Sequence, residues 1–416
     1  MITIAALHAY EILDSRGRPT VAVHCELSNG IRARAHAPSG ASTGKHEAVE
    51  LRDTDHARYA GRGVLRAVRN VSKVIAPELC GMPVEDQCAI DLRMIELDGT
   101  ANKSELGANA MVATSCAVAR ASAYAQGIPL WKSFAGSRSP RMPLPMVNII
   151  SGGLHAEHGL ELQDFLVMPF GVGGYHNQLE TAVRVHAEAH RVLTQERHLV
   201  TGVADEGGWG PRLPSNETAL HIITRAIEQA GCESGRDVGI AIDVAASQFF
   251  HHDRYVLATD NRVLSTEGMI AVLEDWCARY AIRSIEDPLE EDDWAGWQLL
   301  TKRLGSKIQI VGDDLFTTNI DRLEEGIRLR AANAVLVKMN QIGTLTETFQ
   351  VIDRARESGY SAVVSARSGE TEDDFLADLA VASGAGQIKI GSVTRSERLA
   401  KYNRLLEIER ELDSLA

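Results

Sequence analysis

An α/β barrel preceded by a smaller α+β domain is the architecture the sequence predicts. Three observations carry that expectation. From residue 146 onward, short apolar runs recur, each followed by a helix-like stretch. The residues closing the later runs are evenly spaced: Asp313 to Lys338 is 25 positions, Lys338 to Ala366 is 28 and Ala366 to Lys389 is 23. That is the length of one βα unit, and several in succession predict a parallel barrel. Finally, the Pro-rich stretch SPRMPLP (Ser139 to Pro145) separates this region from an N-terminal part of different pattern. The expected domains are 1–133 and 134–416.

The N-terminal part opens with strands. Val21 to Leu27 alternates, Asn29-Gly30 is a hairpin signal, and Ile31 to Ala37 alternates again. A Gly/Ser-rich loop, PSGASTGK, leads into the charged segment Glu47 to Asp53, read as helical, and residues 61–76 and 104–126 read as helices. The last is Ala-rich, with Leu106, Met111, Val112, Cys116 and Val118, a composition suited to close packing. The barrel strands are expected at Met146 to Ile150, Phe165 to Met168, Val238 to Ile242, Arg283 to Ile285 and Ile308 to Val311. The series continues at Ala334 to Val337, Ala362 to Val364 and Gln387 to Ile390. A doubly wound open sheet has similar periodicity and is the alternative. No GxGxxG or GxxxxGK[ST] follows a strand, which argues against its nucleotide-binding form.

Composition narrows the function. With 44% hydrophobic and 24% charged residues, the chain can bury a full core. The 43 basic and 56 acidic residues give a net charge of -13, which argues against nucleic acid and anionic membranes as partners. Six dispersed cysteines without a CxxC fit a reduced, cytoplasmic setting. The N-terminus lacks the basic and long apolar regions of a signal peptide, and no apolar run approaches membrane-spanning length.

The residues closing the runs carry the chemistry. Asp243, Glu286 and Asp313 follow or nearly follow three of them; Lys338 directly follows another, and Lys389 lies within the last. Single acids at strand ends are ordinarily turn residues or caps. In a barrel, however, these ends converge on one face. Three converging carboxylates need a cation, and an all-oxygen set points to Mg²⁺, with Mn²⁺ possible. A neighbouring cation and burial would lower the Lys338 pKa, making it a base for a proton next to a carboxylate. Glu206, before two glycines in TGVADEGG, is a candidate acid for a departing hydroxyl, or a solvated loop residue.

At these residues the chain resembles the enolases. The matching motifs are PSGASTGKHEAVELRD, NKSELGANA, DEGGWGP, IEDPLEEDDW, QIVGDD, VKMNQIGTLTE, SGETED and RSERLAKYN. The resemblance implies an eightfold barrel with irregular first turns, a homodimer or higher assembly, and Mg²⁺-dependent interconversion of 2-phosphoglycerate and phosphoenolpyruvate. It implies Asp243, Glu286 and Asp313 as ligands of a tightly held Mg²⁺, and Ser42 as a ligand of a second. Lys338 matches the base and Glu206 its partner acid. Lys389 matches the binder of the substrate carboxylate, Arg367 and Ser368 those of the phosphate, and His155 and Gln163 further substrate contacts.

Several positions depart from the enolase pattern. Ala366 stands where SHRSGETED has a histidine, Asp164 where QEF has a glutamate, and His158 where HAxN has an asparagine. Met339, Ile390, Trp209 and Gly210 are further changes. The losses fall on the side that handles the leaving hydroxyl. Three readings follow: ordinary enolase dehydration, a carboxyphosphonoenolpyruvate synthase-like reaction on a phosphonate carboxylic acid, and a non-catalytic scaffold on an enzyme fold.

Overall fold

The computed structural model describes every residue except 42, 43, 137, 157, 158, 415 and 416, and the side chain of residue 201. The N-terminal part is an antiparallel meander of β1 (Ile4–Leu13), β2 (Pro19–Leu27) and β3 (Arg32–His36), with helices against it. Alternation along β3 puts Ala33 and Ala35 inward and Arg32 and Arg34 outward. The helix Ala108–Gln126 packs against β2 and β3 and touches residues 339–342 of the second domain, so residues all round it are buried. Its alanines permit that close approach on several sides. Salt links join the domains, among them Arg120 to Asp373 at 2.7 Å, Lys103 to Glu347 at 2.8 Å and Lys45 to Glu290 at 2.9 Å.

Two expected N-terminal elements differ. Residues 47–53 are extended rather than helical. Their amides bond to neighbouring segments instead: Ala48 N–H to Gln341 O at 2.8 Å, Val49 N–H to Asn102 O at 2.7 Å and Leu51 N–H to Asn109 Oδ1 at 3.2 Å. Tertiary partners thus replace the helical ladder. The helix expected at 61–76 runs as Leu65–Asn70, a wide π turn Val71–Ile75, and Ala76–Leu79. Pro77 lies just after the wide turn, where local widening relieves the ring's clash with the preceding turn.

The second domain contains β4 (Leu144–Ser151), β5 (Asp164–Met168), the hairpin β6 (Leu199–Val203) and β7 (Trp209–Arg212), and β8 (Gly239–Asp243). A small sheet of β9 (Phe250–His251), β10 (Arg254–Leu257) and β11 (Arg262–Leu264) follows. Then come β12 (Ile282–Glu286), β13 (Gln309–Gly312), β14 (Ala334–Val337), β15 (Ser361–Ser365) and β16 (Gly386–Gly391). The order β4-β5-β8-β12-β13-β14-β15-β16 closes through pairing of β16 with β4. Closure excludes the open doubly wound sheet. Met146, Leu166, Met168, Ala241, Val311, Ala334, Leu336 and Val363 fill the interior. Ser215, Ser265, Asp293, Asn319 and Thr344 cap the helices that follow, their side chains accepting first-turn amides.

The barrel is mixed rather than wholly parallel. β5 runs antiparallel to both β4 and β8. Among the described residues between β4 and β5 only the short turn Gly153–His155 is helical, whereas a parallel pair needs a full crossover. The reversal matters for the site, because it brings the start of β5 to the face where the other strands end.

Candidate active site

Register places the charged residues together. β8 ends at Asp243 and β12 at Glu286, directly paired. Asp313 follows β13, Lys338 follows β14, and Lys389 in β16 pairs with Ser365 of β15. Because β5 is reversed, its first residue, Asp164, is level with Asp243 on one side and Ser151 on the other.

Two buried lysines bridge the carboxylates. Lys389 Nζ donates to Asp243 Oδ2 at 2.7 Å and Glu286 Oε2 at 2.8 Å. Lys338 Nζ donates to Asp313 Oδ2, whose other oxygen accepts from Gln341 Nε2 at 2.9 Å. Gln163 Nε2 donates to Asp243 Oδ2 at 3.1 Å. Burial and the Asp243 charge hold the Glu286 pKa well above the usual carboxylate range. Burial alone would lower Lys338, as expected from the sequence, but the Asp313 and Glu286 charges outweigh it and hold its pKa up. The lowering expected from the sequence belongs to a lysine beside a metal cation, whereas here Asp313 faces the ammonium. Asp287 Oδ1 and Oδ2 accept the amides of Asp313 and Asp314 at 2.8 and 2.9 Å, fixing the turn that presents Asp313.

Across the face, His155, Asp164 and Glu206 form a second buried cluster, with one ligand atom from each within 4.8 Å of the others. His155 Nδ1 lies 3.5 Å from Asp164 Oδ2, and Nε2 lies 4.0 Å from Glu206 Oε1. Asp164 Oδ1 accepts from Asn148 Nδ2 and from Ser151 Oγ, the latter at 3.1 Å. Burial disfavours the imidazolium, but the two carboxylates outweigh it and raise the His155 pKa to about 9. Burial raises Glu206, yet His155 and nearby cations bring it below its ordinary value. Burial also raises Asp164, against the His155 charge that lowers it, so the three groups hold one another's protons in common.

Arg367 and Ser368 follow β15, but neither is aligned by the barrel alone. Arg367 Nη1 donates to Glu47 Oε2 at 2.9 Å and Asn340 Oδ1 at 3.1 Å, and Nη2 donates to Glu47 Oε1 at 3.2 Å. Ser368 Oγ accepts from Arg16 Nη1 at 3.1 Å. The fully buried Arg398 donates to the carbonyls of Arg367 and Ser368, each at 2.6 Å. Glu47, Arg16, Asn340, Gln341 and Arg398 were not singled out from the sequence, although all but Arg16 lie within the motifs quoted above. Ser42 and His158 lie outside the described residues.

Comparison with protein families decides what this constellation belongs to. The enolase N-terminal domain matches residues 4–134, and the enolase C-terminal TIM barrel domain matches residues 139–416. The chain belongs to the enolase family. Enolases use Mg²⁺, and the donor set here fits such an ion: buried carboxylate oxygens at adjacent strand ends, neutralised in this structure by lysine ammonium groups. Asp287, Asp313 and Asp314 form an acidic cluster whose ligand atoms lie within 4.8 Å of one another, although Asp287 spends its oxygens on backbone amides.

The departures from the enolase pattern also have places. Ala366 is buried and donates its amide to Lys389 O at 2.8 Å, so the position is beside Lys389. Its methyl group offers no hydrogen-bond donor. Met339 lies behind Lys338, its sulfur 4.0 Å from Cys116 Sγ, and Ile390 is buried in β16. No described helix is long and apolar enough to cross a membrane.

Proposed function

We propose that this enolase-family protein is a Mg²⁺-dependent lyase that removes water from 2-phosphoglycerate or a close analogue. The observation that carries the reading is the opposition of two buried sets: Lys338 and Lys389 among Asp243, Glu286 and Asp313, and His155 beside Glu206 and Asp164. Asp243, Glu286 and Asp313 would hold the tight ion, with Ser42 at a second. Bound Mg²⁺ supplies charge stabilisation for the substrate carboxylate as it becomes an ene-diolate.

The chain's own residues then divide the work. When Asp313 turns from Lys338, the lysine loses the charge that holds its proton, and burial lowers its pKa. Lys338 takes the proton α to the carboxylate, and the C–H electron pair moves into the ene-diolate. Lys389, released from Asp243 and Glu286, pairs with that carboxylate. Arg367 and Ser368 grip the phosphorus oxyanion, a role suited to a guanidinium fork. The electron pair returns to form the C=C bond as the adjacent hydroxyl leaves. Proton transfer from the His155–Glu206 pair releases it as water.

A second reading is favoured by Ala366 and Asp164. The missing imidazole and the shortened carboxylate leave room on the hydroxyl side for a larger substrate, such as the carboxyphosphono acid used by carboxyphosphonoenolpyruvate synthase. Purified protein with Mg²⁺ should be assayed on both substrates, before and after Ala366→His. Ordinary enolase turnover on 2-phosphoglycerate, with none on the larger acid, would exclude the second reading. Poor 2-phosphoglycerate turnover that rises in the variant would favour it. Turnover above ~1 s⁻¹ on either substrate would end the scaffold alternative.

A further inference from the structure

Glu206 sits on the tip of a hairpin, and that tip needs support. β6 and β7 flank residues 204–208, and among the described residues the one register pair between this hairpin and β4 is Ile150 with Trp209. On one side, loop 391–395 holds the tip. Ser392 N–H donates to Glu206 O at 2.8 Å, Thr394 Oγ1 to Gly207 O at 2.8 Å, and Arg395 Nε to Ala204 O at 3.1 Å. On the other side, the contacts come from the helix Tyr175–Gln195. The His186 ring stacks on the Trp209 indole with centroids 4.7 Å apart and planes 22° apart, and His190 lies at 4.5 Å. Trp209 Nε1–H donates to His186 O at 2.9 Å, and His186 Nε2 lies 3.3 Å from Gly207 O. Because a carbonyl can only accept, that contact requires the hydrogen on Nε2.

We propose that Trp209, together with His186, is a positioning residue that sets Glu206 against His155. This inference rests on the proposed elimination, in which Glu206 shares the proton delivered to the hydroxyl. The indole ties the start of β7 to the helix, and the imidazole ties the helix to the carbonyl that follows Glu206. Gly207 shows how tightly the tip is held: a Cβ there would lie 2.5 Å from Thr394 Oγ1. The tip is thus clamped from both sides, and loss of one clamp frees it to shift. Displacement of a catalytic group by about 1 Å can cost ~100-fold in rate.

The test compares Trp209→Ala and Trp209→Phe with wild type, using 2-phosphoglycerate and Mg²⁺ in D₂O. Two steps are read separately: exchange of the α-proton by NMR, and dehydration. In Trp209→Ala, dehydration should fall about 10- to 100-fold with KM little changed. Exchange, which needs Lys338 and not Glu206, should stay near wild type. Trp209→Phe keeps a ring for the histidines and should recover most of the dehydration rate. Equal loss of exchange and dehydration would mean general damage and overturn the proposal, as would wild-type dehydration in Trp209→Ala. Amide hydrogen exchange provides a readout independent of turnover. It should rise across residues 204–208 in Trp209→Ala and not across β8. If wild type neither exchanges nor dehydrates 2-phosphoglycerate, the functional reading fails on that substrate, while unchanged amide exchange at 204–208 would still refute the brace.

Discussion

Replacing Lys389 with methionine tests whether the buried lysines stand where a divalent ion belongs. Lys389 contacts Asp243 and Glu286 at 2.7 and 2.8 Å, and the three side chains are only 7%, 4% and 3% exposed. Methionine keeps much of the side-chain length and removes the charge. Two carboxylates are then left buried without their cation, and breaking such a pair costs about 3–5 kcal/mol. In EDTA, urea denaturation should show Lys389→Met less stable by that amount. Mg²⁺ should reverse the order of affinities. In wild type, an ion must displace the ammonium; in the variant nothing competes for the same oxygens. If relief of that competition returns even ~1.4 kcal/mol, calorimetry will show Mg²⁺ binding about tenfold tighter in the variant. The stability gap should narrow correspondingly when Mg²⁺ is saturating, because an ion that binds only the folded state stabilises it. Catalysis should be lost in the same variant, since the substrate carboxylate loses its partner. Equal stability in EDTA, or Mg²⁺ affinity no higher than wild type, would refute the argument.

Other outcomes follow from the same geometry. Lys338→Ala should abolish α-proton exchange in D₂O while leaving Mg²⁺ binding measurable; persistent exchange would assign the base elsewhere. Asp313→Asn should weaken Mg²⁺ binding at least ~10-fold by calorimetry, and unchanged binding would remove Asp313 from the ligand set. Asp373 is held at a pKa of about 2: burial opposes the charge, but the Arg120 guanidinium outweighs it, against an ordinary value of 3.8. A depressed carboxylate stabilises the fold above its unfolded pKa and loses that contribution as pH falls through the folded one, here about 2 kcal/mol. The stability advantage of wild type over Asp373→Asn should therefore shrink from pH ~4 to pH ~2 in denaturation curves, and a constant gap would exclude that linkage.

Much of the site was legible because the relevant residues are local to their strands. Asp243, Glu286 and Lys338 each end or follow an apolar run, so strand periodicity alone brings them to one face. The reversal of β5 was not read from periodicity, because alternation carries no direction. A signal was present: SGGLHAEHGLELQ between the two runs has no helical pattern to make a crossover. The extended form of 47–53 was hidden for a different reason. Its residues have helix-compatible propensities, but Gln341, Asn102 and Asn109 take up its amides from distant parts of the chain. That same extended path delivers Glu47 to Arg367, which explains why this contact could not be inferred from the barrel pattern.

The two halves of the site differ in what they have kept. The Lys338 side has two lysines for three carboxylates, so in the proposed reaction a divalent ion would displace ammonium groups that then become available to the substrate. The opposite side has one imidazole, His155, between Asp164 and Glu206. Asp164 is further committed to Asn148 and Ser151, which restrains it from following a substrate. In the proposed reaction, with alanine at 366, proton delivery on that side would fall to the His155–Glu206 pair. Proton abstraction needs only the first half, whereas leaving-group departure needs the second. An altered enolase of this kind would therefore differ from its relatives first in which leaving group and which neighbouring substituent it accepts, and only later in its ability to form the ene-diolate.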